Sequence, residues 1–289
     1  MQRHLMKMAL VLIVAMALLV GGCQKQEDRA AQKKIDLIYV EWSSEVASTN
    51  VVKAVLQEKL GYEVQLTPVS AAAMWQGIAS GDADAMVAAW LPTTHGHYLE
   101  RLSGQLEDLG PNLDGTRIGL VVPAYVDINS ITEIKQHAER FDGRIIGIDP
   151  GAGIMSKTEE AMEVYGLDNL RLMEGSGATM TATLADAINR DQWMVVTGWT
   201  PHWKFAQWDL KYLEDPQNVY GGAEQIHTIV RQGLEEDMPE VYRFLDNFSW
   251  TTDDLQQVMV WNREDGATPY ASAKRWIEEN PAKVEAWLR

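Results

Sequence analysis

The chain has 289 residues, with 41 acidic against 25 basic side chains, a formal charge of −16 and a single cysteine. Such a charge, with no basic stripe, excludes nucleic acid as an expected partner, because phosphates need a basic footprint. One cysteine permits no internal disulfide, and the lack of a C-x-x-C or His/Cys cluster leaves no expected zinc site and no metal site.

Arg3, His4 and Lys7 precede an unbroken apolar run over residues 8–20, followed by Gly21, Gly22 and Cys23. A charged start, an apolar stretch and small residues read as an export signal over residues 1–22. The run is too short to cross a bilayer as a helix, which takes about 20 residues. A lone cysteine in an exported chain is a free thiol, an intermolecular pair or a modification site. The segment LVGGC resembles a bacterial lipobox, which implies that Cys23 becomes a lipidated N-terminus. A diacylglycerol there would anchor the chain to the outer face of the cell membrane without spanning it. Residues 23–34 are polar and charged, as a flexible tether should be.

Strand and helix signals alternate from there on, which predicts an α/β fold with mainly parallel sheets. Strands are expected over residues 35–40, 63–68, 84–89, 117–122, 145–148, 170–173, 193–197 and 225–231. Helices are expected over 46–60, ending at Gly61, and from a Ser70 N-cap through 79. Further helices are expected over 131–140, 154–165 and 179–189. Beyond residue 238 the pattern is helical, with Trp250, Trp261, Trp276 and Trp287 at core positions.

The plan repeats. VAAWLPTTH (residues 87–95) corresponds to VVTGWTPHW (residues 195–203), which places Trp90 and Trp199 at matching positions, each just before a proline. SAAAM (70–74) likewise matches SGATM (176–180), and IDLIYV (35–40) matches IIGIDP (145–150). We therefore expect a two-lobed α/β fold. Residues 35–122 form the first lobe and 123–224 the second, and 225–289 return to the first. Crossovers near residues 120–125 and 223–231 make a hinge, and hinge closure around a ligand is a known switching mode. Ligands of open α/β sheets bind outside the carboxyl ends of strands, where each lobe offers a tryptophan.

Four segments together, VEWSSEVASTN (40–50), AAWLPTTH (88–95), GIDPGAGIMS (147–156) and TGWTPHW (197–203), resemble glycine betaine-binding proteins of osmoprotectant ABC importers. The similarity runs from about residue 35 to the end and implies a type II periplasmic-binding-protein-like fold. The resemblance implies a cage of Trp42, Trp90 and Trp199 around a trimethylammonium group. It also implies a carboxylate site on the backbone of Gly153 and Ile154 and the side chain of His95. The partners it implies are glycine betaine, or a close relative such as proline betaine, carnitine or choline, and a membrane permease. The chain is expected to act as a monomer, without a cofactor.

The residues support this independently. A quaternary ammonium has no N–H to donate, so indole faces suit it through cation–π attraction and apolar contact. The turn from Asp149 to Gly153 precedes a helix, and free N–H groups at a helix N-terminus bind anions. Glycines there allow close approach to the backbone, and His95 would bring pH dependence if it must be charged. Trp75, Trp193, Trp203 and Trp208 are expected to pack around the site rather than touch ligand. Glu41 and Glu45 flank Trp42 and are expected at the surface or hinge. A hydrolase is disfavoured, since neither G-x-S-x-G nor H-E-x-x-H occurs. A sugar-binding module would need polar side chains that these motifs lack.

Overall fold

The computed structural model describes residues 32–289; the predicted signal segment and Cys23 lie outside them. The chain opens with β1 (Lys34–Tyr39), α1 (Ser43–Glu58), β2 (Glu63–Pro68), α2 (Ala71–Ala79), β3 (Ala85–Leu91), α3 (Gly96–Arg101) and the long β4 (Leu106–Pro123). Every residue of β3 is buried, as befits a strand covered on both faces. Its neighbour β1 runs parallel to both β2 and β3. Ser70 stands at the N-cap of α2 as expected, but its side chain makes no capping bond.

The second half repeats this plan with α4 (Ile131–Ile134), β5 (Arg144–Ile146), α5 (Gly153–Val164), β6 (Arg171–Met173), α6 (Gly177–Asn189), β7 (Val196–Thr200), α7 (Lys204–Gln207) and β8 (Leu210–Tyr212). β5 is parallel to β6 and β7. The helix expected over 131–140 is α only to Ile134. A 3-10 turn follows over Lys135–Phe141, broken by non-helical dihedrals at His137. Trp193 precedes β7 rather than opening it.

The strand order is β2-β1-β3-β9-β4-β7-β5-β6, where β9 spans Glu224–Arg231 and β8 pairs with β4. β9 lies antiparallel between β3 and β4. β4 pairs with β9 through Thr116 and with β7 from Arg117 onward. One continuous strand thus links the two halves of the sheet, which we call the first and second lobe. The segment 213–223 makes the second connection. Each lobe is a parallel set with one opposed strand, β9 in the first and β4 in the second. This is the mixed, mainly parallel α/β architecture expected from the sequence.

The chain ends in α8 (Leu234–Asp237), α9 (Pro239–Asn247), α10 (Thr252–Trp261), α11 (Pro269–Glu279) and α12 (Pro281–Trp287). α10 and α11 pack on α1 of the first lobe. All four late tryptophans are buried, and Trp276 stacks on Trp287 with ring centres 5.6 Å apart. The apolar spacing that marked them as core reflects this packing. Among the described residues no helix is long and apolar enough to cross a membrane.

Candidate functional site

A small cavity lies between the lobes. The first lobe contributes Trp42, Trp90 and Thr94 to its wall. The second contributes Trp199, Ile148, Ala152, Gly153 and Ile154, and Ile118 comes from β4, which joins the two. Trp42 sits in the turn from β1 into α1, Trp90 near the end of β3 and Trp199 near the end of β7. The repeat seen in sequence therefore projects two tryptophans from equivalent strands into one cleft. The matching prolines also share a geometry, since the Leu91–Pro92 and Thr200–Pro201 bonds are both cis.

Each cage indole has its N–H tied down. Trp42 Nε1 donates to Asp149 Oδ2 at 2.6 Å, across the cleft. Trp90 Nε1 donates to Glu45 Oε1 at 2.7 Å. Trp199 Nε1 donates to Ser44 Oγ at 3.1 Å, again across the cleft, and Ser44 Oγ donates on to Glu45 Oε2 at 2.5 Å. Rings held at their edges can each turn a π face to the cavity, and attraction of such a face for a cation is strongest when desolvated. Glu45 was expected at the surface or hinge, and this is corrected: it is buried at the start of α1 and joins two cage rings. Burial pushes its carboxyl up to about 7, against the lowering effect of the bonds from Ser44 and Trp90. Trp199 has a second ionisable neighbour. The Lys204 Nζ lies 4.4 Å from the ring centre, buried and without a hydrogen-bond partner among the described residues. Burial pushes this amine down to about 7.

The opposite wall is the start of α5. Gly153 and Ile154 open that helix, and helical geometry leaves their N–H groups without intrahelical acceptors. The helix dipole adds partial positive charge at the same end. Gly153 is required for a second reason. A Cβ built there would lie 2.3 Å from the carbonyl oxygen of Thr94 on the facing lobe. The glycine thus admits a facing backbone as well as a ligand.

Of the six residues expected at the site, five are on the wall. His95 is not. It is fully buried, with its ring stacked on Trp42 at 5.9 Å between centres. Its Nδ1 accepts from the Trp90 N–H at 3.1 Å, so the ring proton sits on Nε2, which finds no partner among the described residues. Burial, helped by repulsion from His97, pushes the imidazole down to about 3. It is a neutral donor, and the pH dependence expected from a charged His95 does not arise.

Trp75, Trp193, Trp203 and Trp208 stand off the wall. Trp75 stacks on Tyr98 and meets His95 edge-on. Trp203 joins the lobes by donating to Ser43 Oγ at 3.0 Å. Glu45 and Asp149 were missed as partners of the cage. The only local signal was Glu45 in the first turn of a helix, where capping carboxylates gather.

An apolar, indole-lined cleft facing a helix N-terminus is a site for a small zwitterion. Comparison with known proteins agrees. Residues 33–279 match the family described as the substrate-binding domain of the ABC-type glycine betaine transport system. The chain belongs to this family. Its members are binding proteins of importers and not enzymes. The glycine betaine/carnitine transport binding protein GbuC of Listeria monocytogenes serotype 1/2a (strain 10403S) is 52% identical over 155 residues. That stretch covers 53% of this chain and 51% of GbuC, so the chain spans about half the length of this curated relative. The lactococcal OpuAC in its closed form with glycine betaine superposes with a TM-score of 0.84 at 43% identity, covering 89% of this chain and all of OpuAC. The ProX protein of Borrelia burgdorferi, described as a glycine/betaine/L-proline-binding protein, gives 0.86 at 40% identity, over 89% of this chain and 97% of ProX. The type II binding-protein fold expected from the sequence is thereby established.

Proposed function

We propose that this chain captures glycine betaine in the interlobe cleft and delivers it to an ABC permease for osmoprotection. The trimethylammonium group lies against Trp42, Trp90 and Trp199. The carboxylate accepts from the N–H groups of Gly153 and Ile154 and from His95 Nε2. The observation that carries this reading is that three indoles, all bonded at their edges, share one small cavity with the start of α5. Each indole face contributes roughly 0.5–2 kcal/mol, so three contribute about 2–6 kcal/mol. Micromolar affinity needs about 8 kcal/mol. The anion end and lobe closure supply the remainder.

The lobes, read as residues 35–122 and 123–224 with 225–289 returning, act as the closing bodies. Ligand binding shifts an open–closed equilibrium toward the closed form that the permease recognises. The chain works as a monomer, exported and held at the membrane by a lipid on Cys23. Carnitine is the second ligand to consider, supported by the name of GbuC. It keeps both charged ends but is longer, so it needs a wider cleft. Choline has no carboxylate and would leave the start of α5 and His95 unused.

Isothermal titration of a form lacking residues 1–23 with glycine betaine, choline and carnitine tests the reading. Tight betaine binding with weak choline binding is expected. A preference for choline would retain the cage and overturn the anion site.

A further inference from the structure

We propose that Glu224 is a positioning residue that ties the hinge to the anion end of the cleft and thereby sets the preference for quaternary amines that carry a carboxylate. The inference rests on the ligand reading above and assigns a role to a residue that neither lines the cavity nor bonds a cage indole.

Glu224 opens β9 and faces Thr116, the last β4 residue paired with β9 before β4 changes partner at Arg117. It therefore stands where the two connections between the lobes lie side by side. Its side chain is buried, at 1% exposure. The carboxylate does not point into either sheet pairing but reaches the loop between β3 and α3. Oε1 accepts the N–H groups of Thr93 and Thr94, both at 2.7 Å, and Oε2 accepts the Thr94 hydroxyl. One carboxyl side chain thus fixes two successive N–H groups and a hydroxyl. Gly221, in the same connection, has φ +73°, and a Cβ there would lie 2.6 Å from Thr93 Oγ1. The connecting segment is therefore seated on this loop at two points.

What the loop carries gives the contact its consequence. Thr94 lines the cavity and meets Gly153 at the start of α5. His95 follows, with its Nε2 unpartnered among the described residues. A hinge movement that shifts residues 221–224 must move Thr94 and His95 with it. The indole N–H groups are held by other residues, Asp149, Glu45 and Ser44. Loss of the Glu224 carboxylate should therefore disturb the anion end more than the three indoles.

The test compares Glu224→Met, which keeps volume but accepts nothing, with Glu224→Gln. In Glu224→Gln the amide oxygen still accepts the two N–H groups, and the amide N–H bonds to a Thr94 hydroxyl that reverses its role. Glu224→Met should raise the dissociation constant for glycine betaine about tenfold or more, as expected when buried N–H groups lose their acceptor. Its affinity for choline should stay within a few-fold of wild type, and Glu224→Gln should recover most of the betaine affinity. Equal losses for both ligands, or no loss, in a folded Glu224→Met protein would overturn the proposal. Thr94→Val serves if Glu224→Met does not fold, since it removes only the hydroxyl bond. An unchanged betaine-to-choline ratio in that variant is equally fatal. Failure of the ligand reading shows separately, as a wild-type protein that binds no betaine. In that case the amide resonances of Thr93 and Thr94 in the unliganded variants decide, because a positioning role requires them to move.

Discussion

At the residue scale, function depends on how each cage side chain is held. An indole that is free to rotate would lose entropy on meeting a cation. Here the Trp90 bond to Glu45 lies within the first lobe and fixes that ring in folding, whereas the Trp42 and Trp199 bonds cross the cleft and fix their rings as the lobes meet. Trp199→Ala removes one face and also the donor to Ser44. It should weaken glycine betaine binding at least about tenfold while the fold persists, as measured by titration alongside circular dichroism. His95 gives a prediction with a sign. Its imidazole is held neutral well below its ordinary value of 6.5, so any change in betaine binding between about pH 5 and 8 should follow Glu45 and Lys204, both near 7, rather than His95. Stability should respond instead. The unfolded chain takes up the His95 proton below about pH 6.5, whereas the folded protein refuses it until about pH 3. Folding free energy is therefore lost as pH falls across that window. His95→Gln should show a shallower acid dependence of the melting temperature.

At the element scale, the start of α5 and the β3–α3 loop form one contact. The first turn of α5 turns Gly153 and Ile154 to the cavity, and the loop sets Thr94 against Gly153. Gly153→Ala would improve the intrinsic preference of α5 for helix. Its methyl group would nonetheless enter a facing carbonyl, and overpacking of this kind costs about 1–3 kcal/mol. That cost appears only when the lobes meet. Betaine affinity should therefore fall about tenfold while the melting temperature of the unliganded protein changes little. Equal melting with unchanged affinity would show that closure does not need this approach. Element boundaries were legible where apolar periodicity was regular, as in β1, α1 and β3. The first half of β4 was not. Gly110, Pro111 and Gly115 read as loop punctuation, yet the strand continues through them with repeated register shifts against β9. Pairing with a partner more than a hundred residues away overrides the local signal.

At the scale of the whole molecule, the C-terminal helices return to support the first lobe. α10 and α11 pack on α1, whose first turn carries Ser43, Ser44 and Glu45. The last part of the chain thus braces the start of α1 from outside the cavity wall. Closure around a ligand should also stabilise the fold by mass action. Glycine betaine at a hundredfold excess over its dissociation constant should add about 2.7 kcal/mol, seen as a rise in melting temperature. No shift at saturating betaine would contradict binding to the native state.

The sequence alone determined the alternation of strands and helices, the duplicated plan and the matching places of Trp90 and Trp199, and the family resemblance added Trp42. These are carried by short-range pattern and by motifs whose chemistry is local. The tertiary structure alone decided what holds those rings, because Asp149 bonds Trp42 over 107 positions and Glu45 bonds Trp90 over 45. It also decided that His95 is neutral, since its burial comes from Trp42, Trp75 and Tyr98 converging on one ring. The need for glycine at 153 belongs to the same class, because the atom that excludes a larger residue is the Thr94 carbonyl of the opposite lobe. A hydrogen-bond partner, a desolvated ring and a steric limit are properties of neighbours in space, and no spacing along the chain encodes them.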